Sequence, residues 1–350
     1  MALIRAEGAT KHFGGEQSVL DVITRTHPEP LRAVDGVTLE VNEGEIVGIA
    51  GESGCGKTTL GKLLLRLYEP TAGEIYFEDQ PYSAMTAEDE QAFRKRVQMI
   101  FQDPFESLNP RFTVQDTVRE PLQINRIGDS YEERQEMVAR ALDDAGLSPP
   151  RQYMDRFPRE LSGGEQQRVA IARAMVVDPD FVVADEPVSM LDVSIRAGVL
   201  NLMKELRTER DLTYVFISHD LALIRYMCDK TAIMYLGDIV EFGDTEEVIT
   251  NPQHPYTRAL LDAVPVPDPR GGRNRARISG EIPSPEDPPA GCKFHPRCPH
   301  AREHCATHPP REFDLEAGGY ATCFRADETH EYWDSPALDH AEAPDAPPTP

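Results

Sequence analysis

A glycine-rich stretch at residues 51–58, with the sequence Gly-Glu-Ser-Gly-Cys-Gly-Lys-Thr, most constrains what this chain can fold into. It matches G-x-x-x-x-G-K-[ST], the phosphate-binding loop of nucleotide hydrolases. The glycines let the backbone curl so that successive N–H groups point at a polyphosphate, and the positive end of the following helix points there too. An apolar strand at residues 46–50 and a helix at residues 57–67 are predicted on either side. We therefore predict a nucleotide site in which Lys57 contacts the β- and γ-phosphates and the Thr58 hydroxyl ligates Mg²⁺.

Strand-like and helix-like segments alternate along the rest of the chain. The continuous apolar runs at residues 181–184 and 214–217 are typical of parallel strands buried on both faces. Residues 97–101 also predict a strand, and residues 116–178 are predominantly helical in pattern. This alternation predicts an α/β fold with a parallel sheet, and ligands of such sheets gather at the carboxyl ends of the strands.

Polar residues stand directly after two of these strands. Asp185 and Glu186 follow the run at 181–184, and His219 follows the run at 214–217. Asp185 can hold Mg²⁺ through water, and Glu186 beside it can polarise an attacking water. The imidazole of His219 can reach a γ-phosphate. The alternatives are a helix cap or solvated turn for the two acids, and a capping residue for the histidine.

A second anion-binding element is predicted at residues 161–166, with the sequence Leu-Ser-Gly-Gly-Glu-Gln, before a helix expected at residues 165–175. The Ser162 hydroxyl and the N-terminus of that helix are both suited to binding an anion. An ordinary helix N-cap is the alternative interpretation.

With these motifs the chain resembles the nucleotide-binding subunit of an ATP-binding cassette (ABC) transporter over residues 1–250. The sequence at residues 161–166 matches the signature of that family, which is more discriminating than the phosphate-binding loop alone. The resemblance implies an ABC-type ATPase domain with a parallel-sheet core, an antiparallel β subdomain and a helical subdomain. It also implies two such subunits in head-to-tail arrangement, with the signature of one closing over the ATP of its partner.

The resemblance assigns further roles residue by residue. Gln102, Asp192 and His219 stand at the family's Q-loop, D-loop and switch-histidine positions, and Phe13 falls where the family stacks an aromatic ring on adenine. The predicted catalytic residues are Glu186, His219 and Gln102. The predicted Mg²⁺ ligands are Thr58, Gln102 and Asp185. The predicted ATP contacts are Phe13, Gly51, Glu52, Ser53, Gly54, Cys55, Gly56, Lys57, Thr58, Thr59, Ser162, Gly163, Gly164, Gln166 and Asp192.

The composition changes after residue 250. Residues 251–328 are rich in proline and predict a separate loop-rich unit, and residues 329–350 predict a disordered acidic, proline-rich tail. Residues 251–261 and 278–285 resemble the C-terminal extension of the oligopeptide and dipeptide branch of these ATPases. This implies an importer of peptides or a related solute, with sugar and nickel as alternative cargoes.

Four cysteines lie in residues 251–328, namely Cys292, Cys298, Cys305 and Cys323. In a reducing cytosol they are expected to bind a metal rather than to form disulfides. Their spacing lacks the paired C-x2-C of most structural zinc sites, and four thiolates suit a [4Fe–4S] cluster. The extension of peptide-importer ATPases resembles this pattern. Zinc is one alternative because His295, His300 and His304 are interspersed among the cysteines, and free thiols are the other.

The charge balance excludes one class of partner. Sixty acidic and 36 basic residues give a net charge of −24, which disfavours nucleic acid as a direct ligand. Ordinary solubility and a high-salt cytoplasm are alternative explanations of this acidity. No apolar run approaches the ~20 residues of a membrane helix, and no signal peptide is predicted.

We expect a peripheral subunit at the cytoplasmic face of the plasma membrane. The resemblance implies a second ABC ATPase subunit, identical or different, two transmembrane permease subunits and an extracellular solute-binding protein. A soluble ABC ATPase acting on ribosomes or DNA is the alternative, but the single cassette and the negative charge favour transport.

Overall fold

The structure is a computed structural model that describes residues 1–14, 29–263, 280–327, 329–338 and 340–341. Residues 278 and 279 of the second C-terminal motif, and residues 342–350 of the predicted tail, lie outside the described residues.

The strands of the described residues are numbered in chain order. They are β1 (Ala2–Phe13), β2 (Leu31–Asn42), β3 (Ile46–Ala50), β4 (Ala72–Phe77), β5 (Gln80–Pro81), β6 (Val97–Ile100), β7 (Phe181–Asp185), β8 (Thr213–Ser218), β9 (Lys230–Tyr235), β10 (Asp238–Asp244), β11 (Phe313–Asp314) and β12 (Tyr320–Ala321). The α-helices are α1 (Lys57–Leu64), α2 (Ala87–Arg96), α3 (Pro104–Ser107), α4 (Val114–Ile124), α5 (Tyr131–Asp144), α6 (Gly163–Met175), α7 (Val193–Arg210), α8 (Leu221–Met227), α9 (Thr245–Thr250), α10 (Pro255–Ala263) and α11 (Glu303–Thr307).

The central element is an eight-stranded sheet of order β11-β12-β10-β9-β3-β8-β7-β6. Its five strands from β9 to β6 are parallel to one another, β10 is antiparallel to β9, and every residue of β3, β7 and β8 is buried. This confirms the predicted parallel α/β core.

Alternate residues of these strands enter two different apolar cores. Val182 and Phe216 pack into the core that contains α4 to α7, while Val183 and Ile217 pack into the core beneath the second sheet. That second sheet is antiparallel, of order β2-β1-β4-β5. Because side chains alternate between the two faces of a strand, a sheet covered on both sides requires apolar residues at every position.

A helical region, α3 to α6, follows the core strand β6. Hydrogen-bonded caps define where its helices begin: the Thr113 side chain accepts from the Asp116 N–H, and Ser130 accepts from the Glu133 N–H. Val118, Leu142 and Ile171 on α4, α5 and α6 are buried in one core. The structure thus contains the parallel core, the antiparallel sheet and the helical region that the resemblance implied.

Residues 280–341, here termed the C-terminal segment, are joined to the core sheet. Strand β12 pairs with β10 through Glu241 opposite Ala321 and Phe242 opposite Tyr320. The ammonium group of Lys293 binds the carboxylates of Asp35 and Asp238, each at 2.9 Å. The core sheet thus contains strands from both sides of residue 250. The predicted domain boundary at that residue stays a prediction.

The structure describes residues 329–338, which form the first part of the tail predicted at residues 329–350. Tyr332 is buried and its hydroxyl donates to the His300 carbonyl at 2.7 Å. The Arg302 guanidinium donates to the carbonyls of Trp333 and Ser335 at 2.8 and 2.6 Å. Aromatic burial and these hydrogen bonds join this part to the C-terminal segment, and the disorder of the tail stays a prediction.

Among the described residues, no helix combines the length and the apolar character needed to cross a membrane.

A candidate nucleotide site at the strand ends

The phosphate-binding loop links β3 to α1, as the sequence predicts. Two of its glycines occupy positions that exclude a side chain. A Cβ on Gly56, at φ 108°, would lie 2.0 Å from the Ala33 carbonyl oxygen, and one on Gly51 would lie 2.2 Å from the Met234 carbonyl oxygen. The loop is therefore pressed between β2 and β9, and only glycine allows this close approach.

The Lys57 side chain folds back over the loop. Its ammonium group donates to the carbonyl oxygens of Gly51 and Glu52, both at 2.9 Å. Helix α1 begins at Lys57 with Gly56 as a cap that offers no side-chain hydrogen bond, and its first turn contains no acidic residue. The N–H groups of that turn therefore remain available to an anion.

Thr58 and Asp185 meet behind the loop. The Thr58 hydroxyl donates to the Asp185 carboxylate at 3.2 Å. Burial is the largest effect on Asp185 and raises its pKa; the bond from Thr58 opposes this shift, and the neighbouring Glu186 carboxylate adds to it. A buried carboxylate beside a hydroxyl is a donor set that suits Mg²⁺, whose positive charge would favour the ionised form.

Glu186 is the point on which three strand ends converge. Its backbone has φ 45°, in the left-handed region, and its N–H donates to the Ile217 carbonyl at 3.0 Å. One carboxylate oxygen lies 3.1 Å from His219 Nδ1 and accepts from Gln102 Nε2 at 3.3 Å. A non-glycine residue at positive φ is uncommon and concentrates at functional sites. The Glu186 side chain is 15% exposed and that of His219 is 61% exposed, so the site opens on the histidine side.

One open cavity collects ten of the nineteen residues predicted for the nucleotide site. It is lined by Phe13, Ser53, Gly54, Gly56, Lys57, Thr58, Thr59, Gln102, Glu186 and His219. These residues come from five separate segments of the sequence. Leu31, Ala33 and Pro285 also line it, and sequence analysis missed all three. No nucleotide-binding motif marks them, because Leu31 and Ala33 lie on β2 and Pro285 belongs to the C-terminal motif at residues 278–285.

Phe13 lies at the end of β1 and lines the cavity. Its ring meets the edge of Tyr68 with centroids 5.4 Å apart, and Lys11 Nζ lies 5.4 Å from the Phe13 centroid. This places an aromatic ring in the cavity wall, where a flat base could stack.

Glu52 and Cys55 belong to the loop but do not line the cavity. The Cys55 side chain is 4% exposed and packs into the core beneath the antiparallel sheet, and burial raises the pKa of its thiol. The Glu52 side chain faces the C-terminal segment. Any contact of Cys55 with a phosphate would therefore come from its backbone.

The signature residues lie away from this cavity. Ser162 is exposed and caps α6, where its hydroxyl and the Glu165 carboxylate form a reciprocal capping box. Asp192 is exposed at the N-terminus of α7. Gln166 is buried, and its amide donates to the Leu161 carbonyl at 3.2 Å. Within one chain, the structure does not bring Ser162, Gly163, Gly164, Gln166 and Asp192 to the phosphate-binding loop.

The four C-terminal cysteines line one small closed cavity, together with His295 and His300. Burial is the main cause that raises the pKa of Cys323 to about 12, and it also raises the pKa of the other three thiols. The His304 ring instead stacks on His308 at 4.3 Å. In the described part of the chain, no group of three or more His, Cys, Asp or Glu side chains is arranged to hold a metal ion. The structure therefore gives no support to the predicted iron–sulfur or zinc site beyond the convergence of the thiols.

Comparison with known proteins decides the family. Residues 34–189 match the model of the ABC transporter family, and residues 240–305 match the model of the oligopeptide/dipeptide transporter C-terminal region. A putative oligopeptide transport ATP-binding protein of Bacillus subtilis is 44% identical over 86% of this chain and 92% of its own length. The dipeptide transport ATP-binding protein of Haemophilus influenzae is 44% identical over 93% of this chain and 97% of its own length.

The chain belongs to the ABC transporter family, in its oligopeptide and dipeptide branch. It is thus an ABC ATPase, for which ATP and Mg²⁺ are the expected ligands. A solved dimeric ABC cassette in a post-hydrolysis state with ADP and phosphate has a TM-score of 0.60 and 29% identity. The match covers 69% of this ABC ATPase and 98% of that chain.

The Asp185→Asn variant tests the buried carboxylate. Because the folded-state pKa of Asp185 is raised, its ionised form costs stability at pH values above that pKa. We expect the nucleotide-free variant at pH 8 to have a Tm at least as high as the wild type. The advantage should shrink as the pH falls towards the ordinary carboxyl pKa, where wild-type Asp185 also becomes neutral. The Mg²⁺-dependent gain in Tm on adding ADP should be largely lost.

Thermal unfolding from pH 5 to 8, with and without MgADP, measures both effects. Asp262→Asn, at an exposed position of α10, is the matched control. It should change neither the Tm of the nucleotide-free protein nor the gain in Tm on adding MgADP. A lower Tm for the nucleotide-free Asp185→Asn protein at pH 8 would contradict the assignment.

Proposed function

We propose that this ABC ATPase is the ATP-hydrolysing subunit of an importer of dipeptides or oligopeptides, acting on separate permease subunits in the membrane. The observation that carries the ATPase part is the convergence of Lys57, Gln102, Glu186 and His219 on one cavity. The cargo is supported by the relatives, which are named as oligopeptide and dipeptide transport proteins, and by the match of residues 240–305.

The side chains of the cavity divide the work of hydrolysis. Lys57 exchanges the loop carbonyls for phosphate oxygens, and Thr58 and Asp185 would hold Mg²⁺, which supplies positive charge to the β- and γ-phosphates. Glu186 orients and polarises the attacking water. Gln102 and His219 both contact the Glu186 carboxylate and would orient it towards the γ-phosphate. Gln102 would also be within reach of Mg²⁺ or of that water.

A second ATPase subunit, in head-to-tail arrangement, would complete the site. Ser162 and Asp192 are exposed and far from this chain's own cavity, as expected of groups that serve a partner's nucleotide. Met190 and Val193 flank Asp192 and are also exposed, which is typical of residues buried on association. The solved cassette that resembles this chain is dimeric with ADP and phosphate bound.

The membrane partners would bind beside the helical region. A groove lined by Phe101, Pro121 and Ile124 lies between β6 and α4, next to Gln102. Its exposed apolar side chains suit the coupling helices of two permease subunits. This ABC ATPase would then act as a peripheral subunit at the cytoplasmic face of the membrane and reach an extracellular solute-binding protein through the permeases.

Glu186→Gln tests the catalytic assignment. The change keeps the shape of the side chain but removes the negative charge that polarises water. We expect MgATP binding to be retained, hydrolysis to fall by at least ~10²-fold, and a stable ATP-bound dimer to accumulate. Phosphate release by the purified transporter and gel filtration with MgATP measure these outcomes. Glu246→Gln, at an exposed carboxylate paired with Arg225, should behave as the wild type. Near-normal turnover in Glu186→Gln would overturn the role of Glu186.

We also propose that the four cysteines hold a [4Fe–4S] cluster, with zinc as the alternative. The proposal is supported by the four thiols that line one closed cavity and by the match of residues 240–305 to the transporter C-terminal region. Burial disfavours isolated thiolates, and a bound metal would compensate that cost by binding the deprotonated sulfurs. The cluster would serve as a structural staple of the C-terminal segment, since no step of hydrolysis requires it.

Protein purified without oxygen should be brown, with broad absorption near ~400 nm and about four irons per chain. Cys298→Ser should lower the iron content, because each thiolate is a ligand. Cys228→Ala, at a single buried thiol outside the segment, is the control and should keep the iron content unchanged. A content of one zinc and no iron per chain would support the zinc alternative. Protein that contains no iron and no zinc would refute the metal site.

A further inference from the structure

Arg297 of the C-terminal segment reaches the phosphate-binding loop. Arg297 Nη1 donates to Glu52 Oε2 at 2.8 Å, and Nη2 donates to Oε1 at 3.0 Å. This is a two-pronged guanidinium–carboxylate pair between residues 245 positions apart in sequence. Such pairs fix orientation as well as distance, because both groups are planar.

Glu52 is held at two further points. Its N–H donates to the Tyr256 hydroxyl at 2.9 Å, and its carbonyl accepts from Lys57 Nζ at 2.9 Å. Side chain, N–H and carbonyl are therefore all engaged. Glu52 stands directly between Arg297 of the C-terminal segment and Lys57, the residue that binds phosphate.

The Arg297–Glu52 pair is shielded from water. The side chains of Arg297 and Glu52 are 5% and 25% exposed, and Arg297 also donates to the Tyr235 hydroxyl at 3.3 Å. The bond to Glu52 is the largest cause of a raised Arg297 pKa. Ion pairs in such surroundings are strong, and removal of one partner leaves an uncompensated charge. The pair therefore differs in kind from the exposed ion pairs elsewhere on this chain.

The C-terminal segment touches the nucleotide site at a second place. The Pro285 carbonyl accepts from the Arg32 N–H at 3.1 Å, and Pro285 lines the cavity near Phe13. The C-terminal segment thus reaches the cavity wall through Pro285 and the loop through Arg297. Neither contact belongs to the motifs from which the nucleotide site was predicted.

Arg297 is also fixed to the thiol cavity by the backbone. It ends a single helical turn, His295–Arg297, and immediately precedes Cys298. The Arg297 N–H donates to the Phe294 carbonyl at 3.0 Å, and the Cys298 N–H donates to the His295 carbonyl at 3.3 Å. A shift of this turn would move the guanidinium and hence Glu52.

We propose that Arg297 is a positioning residue for the ATP site, through which the C-terminal segment sets nucleotide affinity. This rests on the proposed function, since it concerns the same ATP site. Arg297 holds Glu52 in place, Glu52 holds the loop and the Lys57 carbonyl partners, and the loop keeps its phosphate-binding shape. Because coupling between two sites is reciprocal, nucleotide binding stabilises the turn at Arg297 in return.

A double-mutant cycle tests the pair. Arg297→Met removes the charge and keeps an unbranched side chain, and Glu52→Gln keeps the shape of its partner. Isothermal titration of MgADP into the intact chain should give about tenfold weaker binding for each single variant. The double variant should bind no more weakly than the worse single variant. Unchanged affinity in the singles, or additive losses in the double, would overturn the proposal.

Two further variants separate positioning from general packing. Arg297→Lys keeps the charge but not the two-pronged bond, so its affinity should lie between those of the wild type and Arg297→Met. Arg302→Met removes another buried arginine of the same segment, one that bonds to the Trp333 and Ser335 carbonyls and does not touch the loop. Its MgADP affinity should stay within about twofold of the wild type. An equal loss in Arg302→Met would mean that the segment acts as a whole and would refute the role of Arg297.

Amide hydrogen exchange distinguishes a positioning role from a purely structural one, because only a positioning role makes exchange at Arg297 depend on bound nucleotide. MgADP should slow amide exchange at residues 292–298 of the wild type, and this effect should disappear in Arg297→Met. If circular dichroism without nucleotide shows that Arg297→Met does not fold, the MgADP titration and the hydrogen-exchange comparison are made with Glu52→Gln instead. Wild-type protein that fails to bind MgADP would overturn the proposed function. Wild-type binding with no exchange effect at residues 292–298 would overturn only the positioning role.

Discussion

The nucleotide site depends on the burial of the parallel sheet between two apolar cores. Strands β3, β7 and β8 carry apolar residues on both faces, so polar side chains can stand only where these strands end. Parallel strands end at the same edge, which brings the loop after β3, the acids after β7 and His219 after β8 together. The polar side chains of the site thus lie together because the buried sheet leaves room for them only at this edge.

Electrostatics then define what the site requires. Asp185 is a buried carboxylate with a raised pKa, and Glu186 beside it is held in a left-handed backbone conformation. The only cation among the residues lining this cavity in the described chain is Lys57, whose ammonium is occupied by loop carbonyls. Mg²⁺ and a polyphosphate would satisfy these groups together, which explains why an ABC ATPase binds the two as one ligand.

Local motifs made most of the site predictable. The phosphate-binding loop, the acids at the end of β7 and His219 are each recognisable from a few adjacent residues, because their chemistry requires particular residue types at fixed spacing. Gln102 and Phe13 were assigned by family resemblance alone, and the structure places both in the cavity wall. Leu31 belongs to no such motif, and Pro285 belongs to the C-terminal motif at residues 278–285, which does not point to the nucleotide site.

The sequence by itself determined the parallel α/β core and the family, because these follow from periodicity and from short contiguous motifs. Only the tertiary structure decided that Glu52 faces Arg297 and that Pro285 lines the nucleotide cavity. It also decided that the signature lies outside the chain's own site. Contacts between residues hundreds of positions apart depend on how the C-terminal segment docks on the sheet. That docking is set by the complementary shapes and charges of the two surfaces, which no local pattern encodes.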